Sequence, residues 1–100
     1  MAVISTYRIG KHFFMFKFYP VGGYYDIDIL KSPSYGKRKP NGVYTMRIPS
    51  QRGGMKICFA IPEVIDTLDK ADKWSKAWAK LTSAYILTGK KFPKEKSQSL

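Results

Sequence analysis

The chain has 100 residues, with 18 lysines or arginines against 7 acidic residues, and its formal net charge is +11. A chain of this length supports one domain with one core and is too short for two. The single cysteine, Cys58, excludes an internal disulfide framework and a cysteine-built zinc site.

No targeting or membrane segment is expected. Residues 1–5 are too short for a secretory signal, and the longest strongly apolar run, residues 13–16, cannot span a bilayer. A lone cysteine is also typical of a reducing compartment. We therefore expect an intracellular protein, in the cytoplasm or in the nucleus or nucleoid, with no membrane partner.

The first predicted element is a long strand from Tyr7 to Tyr19. Alternation places three aromatic side chains on the face that should form the core, namely Phe14, Phe16 and Phe18. The opposite face would carry Phe13, Met15, Lys17 and Tyr19. Pro20 and the pair Gly22-Gly23 end this pattern and predict a hairpin through a loop of four or five residues.

The second predicted strand runs from Tyr24 to Lys31, with Asp26 and Asp28 on the face opposite Tyr25, Ile27 and Ile29. The Pro- and Gly-containing segment 32–42 follows and predicts an exposed loop that carries the run Lys37-Arg38-Lys39. A third strand at 43–48, a glycine turn at 50–54 and a fourth strand at 55–60 complete the pattern. The sequence thus predicts a four-stranded antiparallel meander.

A long amphipathic helix is predicted from Pro62 to about Gly89, because the apolar period changes there from two to about three and a half. Its apolar stripe comprises Val64, Leu68, Ala71, Trp74, Trp78, Leu81 and Tyr85. The predicted fold is therefore α+β, a single ββββα domain over residues 1–89 with the helix on one face of the sheet. Residues 90–100 are expected to form a basic flexible tail.

The distal part of the helix has two interpretations, since it is long for a four-stranded sheet. Its stripe can be ordinary core, or it can form a homodimer interface. The side chains assigned to that interface are Trp74, Trp78, Leu81 and Tyr85.

Catalytic chemistry finds little support in the sequence. His12 has no serine or cysteine nucleophile at a recognisable spacing, and the glycine pairs lack phosphate-loop spacing. Asp26 and Asp28 suit a carboxylate pair or a magnesium site, but pairing with neighbouring lysines and arginines is the favoured interpretation. We expect no enzyme, no cofactor, no bound metal and no small-molecule substrate.

Nucleic-acid binding finds more support, because residues 1–60 hold ten lysines or arginines against two acids, together with eleven of the fifteen aromatic residues. Cationic side chains neutralise phosphates, and aromatic rings stack on unpaired bases. The predicted phosphate-binding residues are Lys11, Lys17, Lys37, Arg38, Lys39, Arg47, Arg52 and Lys56. The predicted stacking residues are Phe13, Tyr19, Tyr35 and Tyr44.

The predicted mechanism joins these residues on the sheet face that the helix leaves free. Lys17, Arg47 and Lys56 would project there beside the basic loop, although Asp26 and Asp28 would lie on the same face and repel phosphate. We expect binding of single-stranded nucleic acid, preferably DNA, with little sequence preference. The alternatives are a basic interaction or inhibitor protein that docks on an acidic partner and, third, a binder of duplex DNA or RNA.

Three short segments resemble the single-stranded-DNA-binding domain of the transcriptional coactivator positive cofactor four. They are Tyr7-Arg8-Ile9-Gly10-Lys11, Tyr25-Asp26-Ile27 with the preceding glycine turn, and Gly54-Met55-Lys56-Ile57 leading into Ile61-Pro62-Glu63. The resemblance covers roughly residues 6–80. It implies a homodimer with packed helices, whose paired sheets offer channels to unpaired DNA, and a role in transcription or in handling melted strands.

Only Lys11, Arg52 and Lys56 match basic positions of that family closely enough to be carried over. The chain departs from the family at Val64 and Ile65, where the family commonly has a tryptophan, and in its longer loop around Lys37–Lys39. Whirly-type and Pur-type sheets, which also place a helix after four strands, remain alternatives.

Overall fold

The computed structural model describes residues 2–92, except the side chain of Val43. It is an α+β fold in which one long helix covers a five-stranded antiparallel sheet. The strands are β1 (Val3–Ile9), β2 (His12–Val21), β3 (Tyr24–Lys31), β4 (Arg47–Pro49) and β5 (Met55–Ile57), in the spatial order β1-β2-β3-β5-β4. The helices are α1 (Gly42–Thr45) and α2 (Leu68–Thr88), and a 3-10 turn at Pro62–Val64 precedes α2.

The fifth strand arises because the predicted strand Tyr7–Tyr19 is in fact a hairpin. Its two-residue turn is Gly10-Lys11, and Ile9 lies opposite His12. Gly10 has a φ of +56°, which glycine adopts without the steric cost that a Cβ would bring. The prediction of four strands was wrong because it took residues 7–19 as one strand, although the core-facing positions change across the turn from odd numbers, as at Ile9, to even numbers, as at Phe14.

The next hairpin is also tighter than predicted. Val21 lies opposite Tyr24, so the turn consists of Gly22-Gly23 alone, and Pro20 belongs to β2. Here, too, the first turn residue has a positive φ, +62° at Gly22. A glycine at the first central position is typical of the type II′ turn, whose twist matches that of the flanking strands.

The predicted third and fourth strands are shorter than expected. Residues 42–45 form α1, which ends at Met46 with a left-handed φ of 53°, and only Arg47–Pro49 is strand. β5 ends at Ile57 rather than Ala60.

The core lies between α2 and one face of the sheet. Phe14, Phe16 and Ile27 are completely buried there, which confirms the predicted alternation in β2 and β3. Trp78 packs edge-to-face with the rings of Phe14 and Phe16, whose centroids lie 6.1 and 5.9 Å from its own. Such edge-to-face pairs add to the burial energy of the aromatic side chains.

α2 begins later than predicted, at Leu68, because Thr67 caps it by accepting a hydrogen bond from the backbone N–H of Lys70. It ends where predicted, at Gly89, which has a left-handed φ of 78°. Within residues 2–92, neither α-helix has the length and apolar character needed to cross a membrane.

The side chains predicted to form a helix-mediated homodimer are largely core of the single chain. Trp74, Trp78 and Tyr85 are 8%, 2% and 5% exposed, and Leu81 is half-buried. The structure therefore supports the core interpretation, because these side chains already pack against their own sheet and loops.

The folded part extends beyond the predicted boundary at residue 89. Phe92 packs against the core cluster and, with Met46 and Leu81, lines an apolar pocket. Residues 93–100 of the predicted tail lie outside the described residues.

Candidate nucleic-acid interface

The sheet face opposite α2, here called the uncovered face, carries a cross-strand row of charged residues. Lys17 lies opposite Asp28, and Asp28 lies opposite Lys56. Although this face lacks a helix, Asp26 and Asp28 have side chains only 8% exposed. The turn at residues 50–54 lies beside them and shields them from water.

Arg52 in that turn holds both carboxylates. Its Nε donates to Asp28 Oδ2 over 2.6 Å, and its Nη2 donates to Asp26 Oδ2 over 2.7 Å. Ser50 Oγ donates to Asp28 Oδ1 over 3.1 Å, and Lys56 Nζ donates to Asp26 Oδ2 over 3.1 Å. Two cations and two anions therefore form a closed network on the uncovered face.

The network fixes the ionisation of its members. Burial raises the pKa of Asp26, but the hydrogen bonds and positive charges of Arg52 and Lys56 together outweigh it, so this pKa lies below its ordinary value. The Asp28 and Asp26 carboxylates in turn raise the pKa of Arg52, against the opposing effect of burial. Arg52 and Lys56 were predicted to bind phosphate, but the structure engages them with carboxylates.

The aromatic rings of the uncovered face lie beneath cations. The guanidinium of Arg8 lies 5.2 Å from the ring centroid of Phe13. Lys17 Nζ and the guanidinium of Arg52 lie 5.5 and 4.5 Å from that of Tyr19. Cation–π contacts of this kind cover ring faces, so a base can stack there only after the cation moves aside.

Arg47 does not lie on the uncovered face. It is opposite the core residue Ile57, so it points to the helix side of the sheet. There its guanidinium lies 4.6 Å from the ring centroid of Tyr35, and its Nη2 donates to the carbonyl oxygen of Pro40 over 3.1 Å. Arg47 points to the side of the sheet opposite to the one predicted. The reason is that Met46, in its left-handed conformation, ends α1 directly before β4 and interrupts the side-chain alternation expected over residues 43–48.

The predicted surface joining Lys17, Arg47 and Lys56 is therefore not formed. Tyr35, predicted to stack on bases, is 7% exposed, and burial raises the pKa of its hydroxyl. Its buried ring packs against the guanidinium of Arg47 instead.

A second basic surface lies where the loop at residues 37–39 meets the end of α2. A groove here, which we call the loop groove, is lined by Lys37, Arg38, Lys39, Tyr44, Tyr85, Gly89 and Lys91. Lys39 Nζ and Lys91 Nζ lie 5.6 and 5.2 Å from the ring centroid of Tyr44. The ring of Tyr85 is nearly parallel to that of Tyr44, at an angle of 3° and a centroid distance of 6.4 Å.

The loop groove is held in place by α2. Arg38 donates from Nε to the carbonyl oxygen of Ile86 over 3.1 Å and from Nη2 to that of Leu87 over 3.3 Å. These carbonyls lie in the last turn of the helix, where a cation is also favoured by the helix dipole. The Tyr85 hydroxyl donates to the carbonyl oxygen of Lys39 over 2.9 Å. Arg38 thus anchors the loop, whereas Lys37 and Lys39 remain exposed.

The two segments that line the loop groove carry no negative side chain. Residues 29–62 and 73–92 contain no aspartate or glutamate. The groove is built from these two segments, and among residues 2–92 its lysines form no ion pair of the kind that engages Arg52 and Lys56. This contrast makes it the stronger candidate for an anion-binding surface.

Lys11 and His12 lie at the β1–β2 turn and belong neither to the carboxylate network nor to the lining of the loop groove. Lys11 is exposed, and with His12 and Ser83 it lines a cleft beside the end of α2. His12 Nδ1 and Ser83 Oγ share a hydrogen bond of 2.7 Å, a pairing that sequence spacing did not indicate. Ser83 is 4% exposed. Within residues 2–92, histidine, cysteine and acidic side chains do not gather in threes at metal-binding distance.

Three groove residues, Tyr85, Gly89 and Lys91, were not predicted to bind nucleic acid. Lys91 was assigned to the flexible tail and Tyr85 to a dimer interface. The sequence signal for Lys91 is the basic pair Lys90-Lys91 directly after Gly89. A glycine that ends a helix reverses the direction of the chain, so the residues after it can lie against the last turn of that helix.

Comparison of the chain with protein-family models, with curated proteins and with solved structures gives no match. The resemblance to positive cofactor four therefore stays a hypothesis.

Proposed function

We propose that the protein is a non-enzymatic binder of single-stranded nucleic acid and that the loop groove is its binding site. Lys37, Lys39 and Lys91 would neutralise phosphates, and the ring of Tyr44 would accept a base once a lysine moves aside. The observation that carries the proposal is an acid-free groove in which lysines surround an aromatic ring.

The chemistry of the groove favours low sequence preference. Its exposed side chains are lysines, which contact phosphates, while a tyrosine ring can stack on any base. Preference for DNA and a role in transcription, replication or recombination rest on the family resemblance alone.

The uncovered face is not part of the proposed site. Two of its cations, Arg52 and Lys56, are held by Asp26 and Asp28. A phosphate placed there would have to displace these ion pairs and would meet the two carboxylates.

The experiment is a fluorescence titration with unpaired and duplex oligonucleotides of equal length over a salt series. Three phosphate contacts on a single strand predict a slope of log affinity against log salt of about −2. The double variant Lys37→Ala/Lys39→Ala should bind all sequences more weakly, and its slope should fall to about −0.7. Arg38 is left unchanged because it anchors the loop to α2.

The matched control is Lys70→Ala/Lys73→Ala, which removes the same amount of charge from the first half of α2. It should leave affinity and slope close to those of the unmodified protein. Equal losses in both double variants would mean that only net charge matters and would remove the loop groove from the site.

The stacking role of Tyr44 is tested by comparing Tyr44→Phe with Tyr44→Ala. The phenylalanine keeps the ring and should keep binding, whereas alanine should weaken it by roughly 1–3 kcal/mol, as expected for one lost stacking partner. Weak retention of oligonucleotides that does not depend on length, with tight binding to one acidic protein, would instead favour the interaction-protein alternative.

A further inference from the structure

The two outer strands of the sheet differ in how well they are protected from further pairing. β4 has three residues and ends in Pro49, which has no N–H to donate. β1 has seven residues, all of them paired with β2 and none of them proline. Edge strands are normally short or protected by proline, bulges or charge, and β1 carries only Arg8.

The hairpin fixes which backbone groups of β1 point outward. In a two-residue hairpin the flanking residues, here Ile9 and His12, form a hydrogen-bonded pair, and such pairs alternate along the ladder. Residues 3, 5, 7 and 9 therefore bond to β2, whereas Ile4, Thr6 and Arg8 direct their N–H and C=O groups away from the sheet. All three have exposed side chains, and Ile4 is 59% exposed.

We propose that β1 is the interface for a second copy of this chain, paired antiparallel about a two-fold axis at Thr6. Ile4 then lies opposite Arg8 of the second copy, and Thr6 lies opposite its own equivalent. This register pairs all of β1, and its outward groups form about six backbone hydrogen bonds. The two sheets become one continuous antiparallel sheet, an isologous arrangement that closes at the dimer. The inference does not depend on the proposed binding function.

Charge complementarity supports a second copy as the occupant. The register places no like charges directly opposite each other, because Arg8 faces Ile4. On the helix side, Ser5 Oγ donates to Asp72 Oδ1 over 3.4 Å, and Lys76 Nζ lies 5.8 Å from the ring centroid of Tyr7. Asp72 and Lys76 also pair with each other within one chain, at 3.0 Å. The two-fold axis places Ser5 of one copy opposite Tyr7 of the other. Asp72 of each copy therefore lies toward Lys76 of the other copy.

The first test is the mass of the protein in solution, measured by sedimentation equilibrium. The unmodified chain should have twice the mass of one chain. Ile4→Lys, which places a lysine opposite Arg8, should shift it to the monomer, and Ile4→Lys/Arg8→Glu should restore the dimer. Circular dichroism establishes that each variant is folded. A monomeric unmodified chain, a dimeric Ile4→Lys variant or a monomeric double variant would each overturn the proposal.

The second test probes the register by disulfide cross-linking in a Cys58→Ala background. Facing Thr6 residues would have Cα atoms about 5.5 Å apart, within the range of about 4.4–6.8 Å that a disulfide spans. Thr6→Cys should therefore cross-link on oxidation. Ile4→Cys should not, since its two copies would be offset by four residues, on the order of 13 Å. Equal cross-linking of the two variants, or none at Thr6→Cys, contradicts the register.

Discussion

Arg52 is the residue that most alters the chemistry of the uncovered face, because it binds the carboxylates of Asp28 and Asp26 together. Arg52→Ala would leave two largely buried carboxylates with fewer donors. We expect it to lower the free energy of unfolding by about 2 kcal/mol, the usual contribution of a hydrogen bond to a charged group. Urea denaturation at neutral pH measures this.

Lys73→Ala is the control for this prediction, since Lys73 is exposed on α2 and its loss should change stability by less than about 0.5 kcal/mol. If Arg52→Ala proves as mild as Lys73→Ala, the network contributes nothing measurable to folding.

Asp26 makes stability depend on pH. Its pKa in the folded protein is lowered from 3.8, so its network contributes stability above that value. This stability is lost as pH falls below 3.8 through the folded pKa, because the carboxyl takes up a proton and no longer pairs with Arg52 and Lys56. Denaturant unfolding from pH 6 downward should show the loss at the acid end.

Asp26→Asn is the comparison for this pH dependence. It should be less stable than the unmodified protein at pH 6 and should lose less stability on acidification, so the two curves converge. Parallel curves would show that other carboxyl groups dominate the acid response.

At the scale of elements, the turn Gly22-Gly23 offers a matched pair of substitutions. Gly22 has a φ of +62°, whereas Gly23 does not have a positive φ, and an added Cβ would meet no atom within 4 Å at either position. Gly22→Ala should lower the free energy of unfolding by about 1 kcal/mol through backbone strain alone. Gly23→Ala should be neutral or slightly stabilising, because it restricts the unfolded chain. Thermal unfolding distinguishes them, and equal effects would contradict the assigned turn.

The features of this fold that depend only on neighbouring residues in the sequence could be predicted. Alternation in β2 and β3 is a property of neighbouring residues, so the buried positions of Phe14, Phe16 and Ile27 could be predicted. The prediction missed the turn at Gly10, although the core-facing positions change across it from odd numbers, as at Ile9, to even numbers, as at Phe14. The position of Arg47 depends on the left-handed conformation of Met46, which the sequence around a methionine does not indicate.

At the scale of the whole molecule, the sequence indicated the kinds of side chain at the candidate site but not how they group. Arg52 and Lys56 were expected to meet phosphate, yet Asp26 and Asp28 reach them across the sheet. Such pairing joins residues more than twenty positions apart, so no local pattern reveals it. The concentration of positive charge at residues 37–39 could be predicted from the sequence. The opposite side of the loop groove could not, because it is formed by Lys91 in the chain that follows α2.

The fold places the basic loop and the pair Arg8 and Lys17 on two separate surfaces. The loop groove lies at the end of α2, on the helix side of the sheet, whereas Arg8 and Lys17 project from the uncovered face. A nucleic-acid strand on both surfaces would have to pass around an edge of the sheet. The proposed site is therefore a short one, filled by a few nucleotides.

This separation predicts that Arg8→Ala/Lys17→Ala leaves the affinity for a short unpaired oligonucleotide unchanged, although it removes as much charge as Lys37→Ala/Lys39→Ala does. Salt screens the long-range effect of lost charge, since the Debye length at physiological ionic strength is about 8 Å. Titration at that ionic strength, with oligonucleotides of increasing length, compares the two variants. Affinity should level off at a short length for the unmodified protein. If it keeps rising with length, and Arg8→Ala/Lys17→Ala removes that rise, the strand continues onto the uncovered face, and the loop groove is only one end of a longer path.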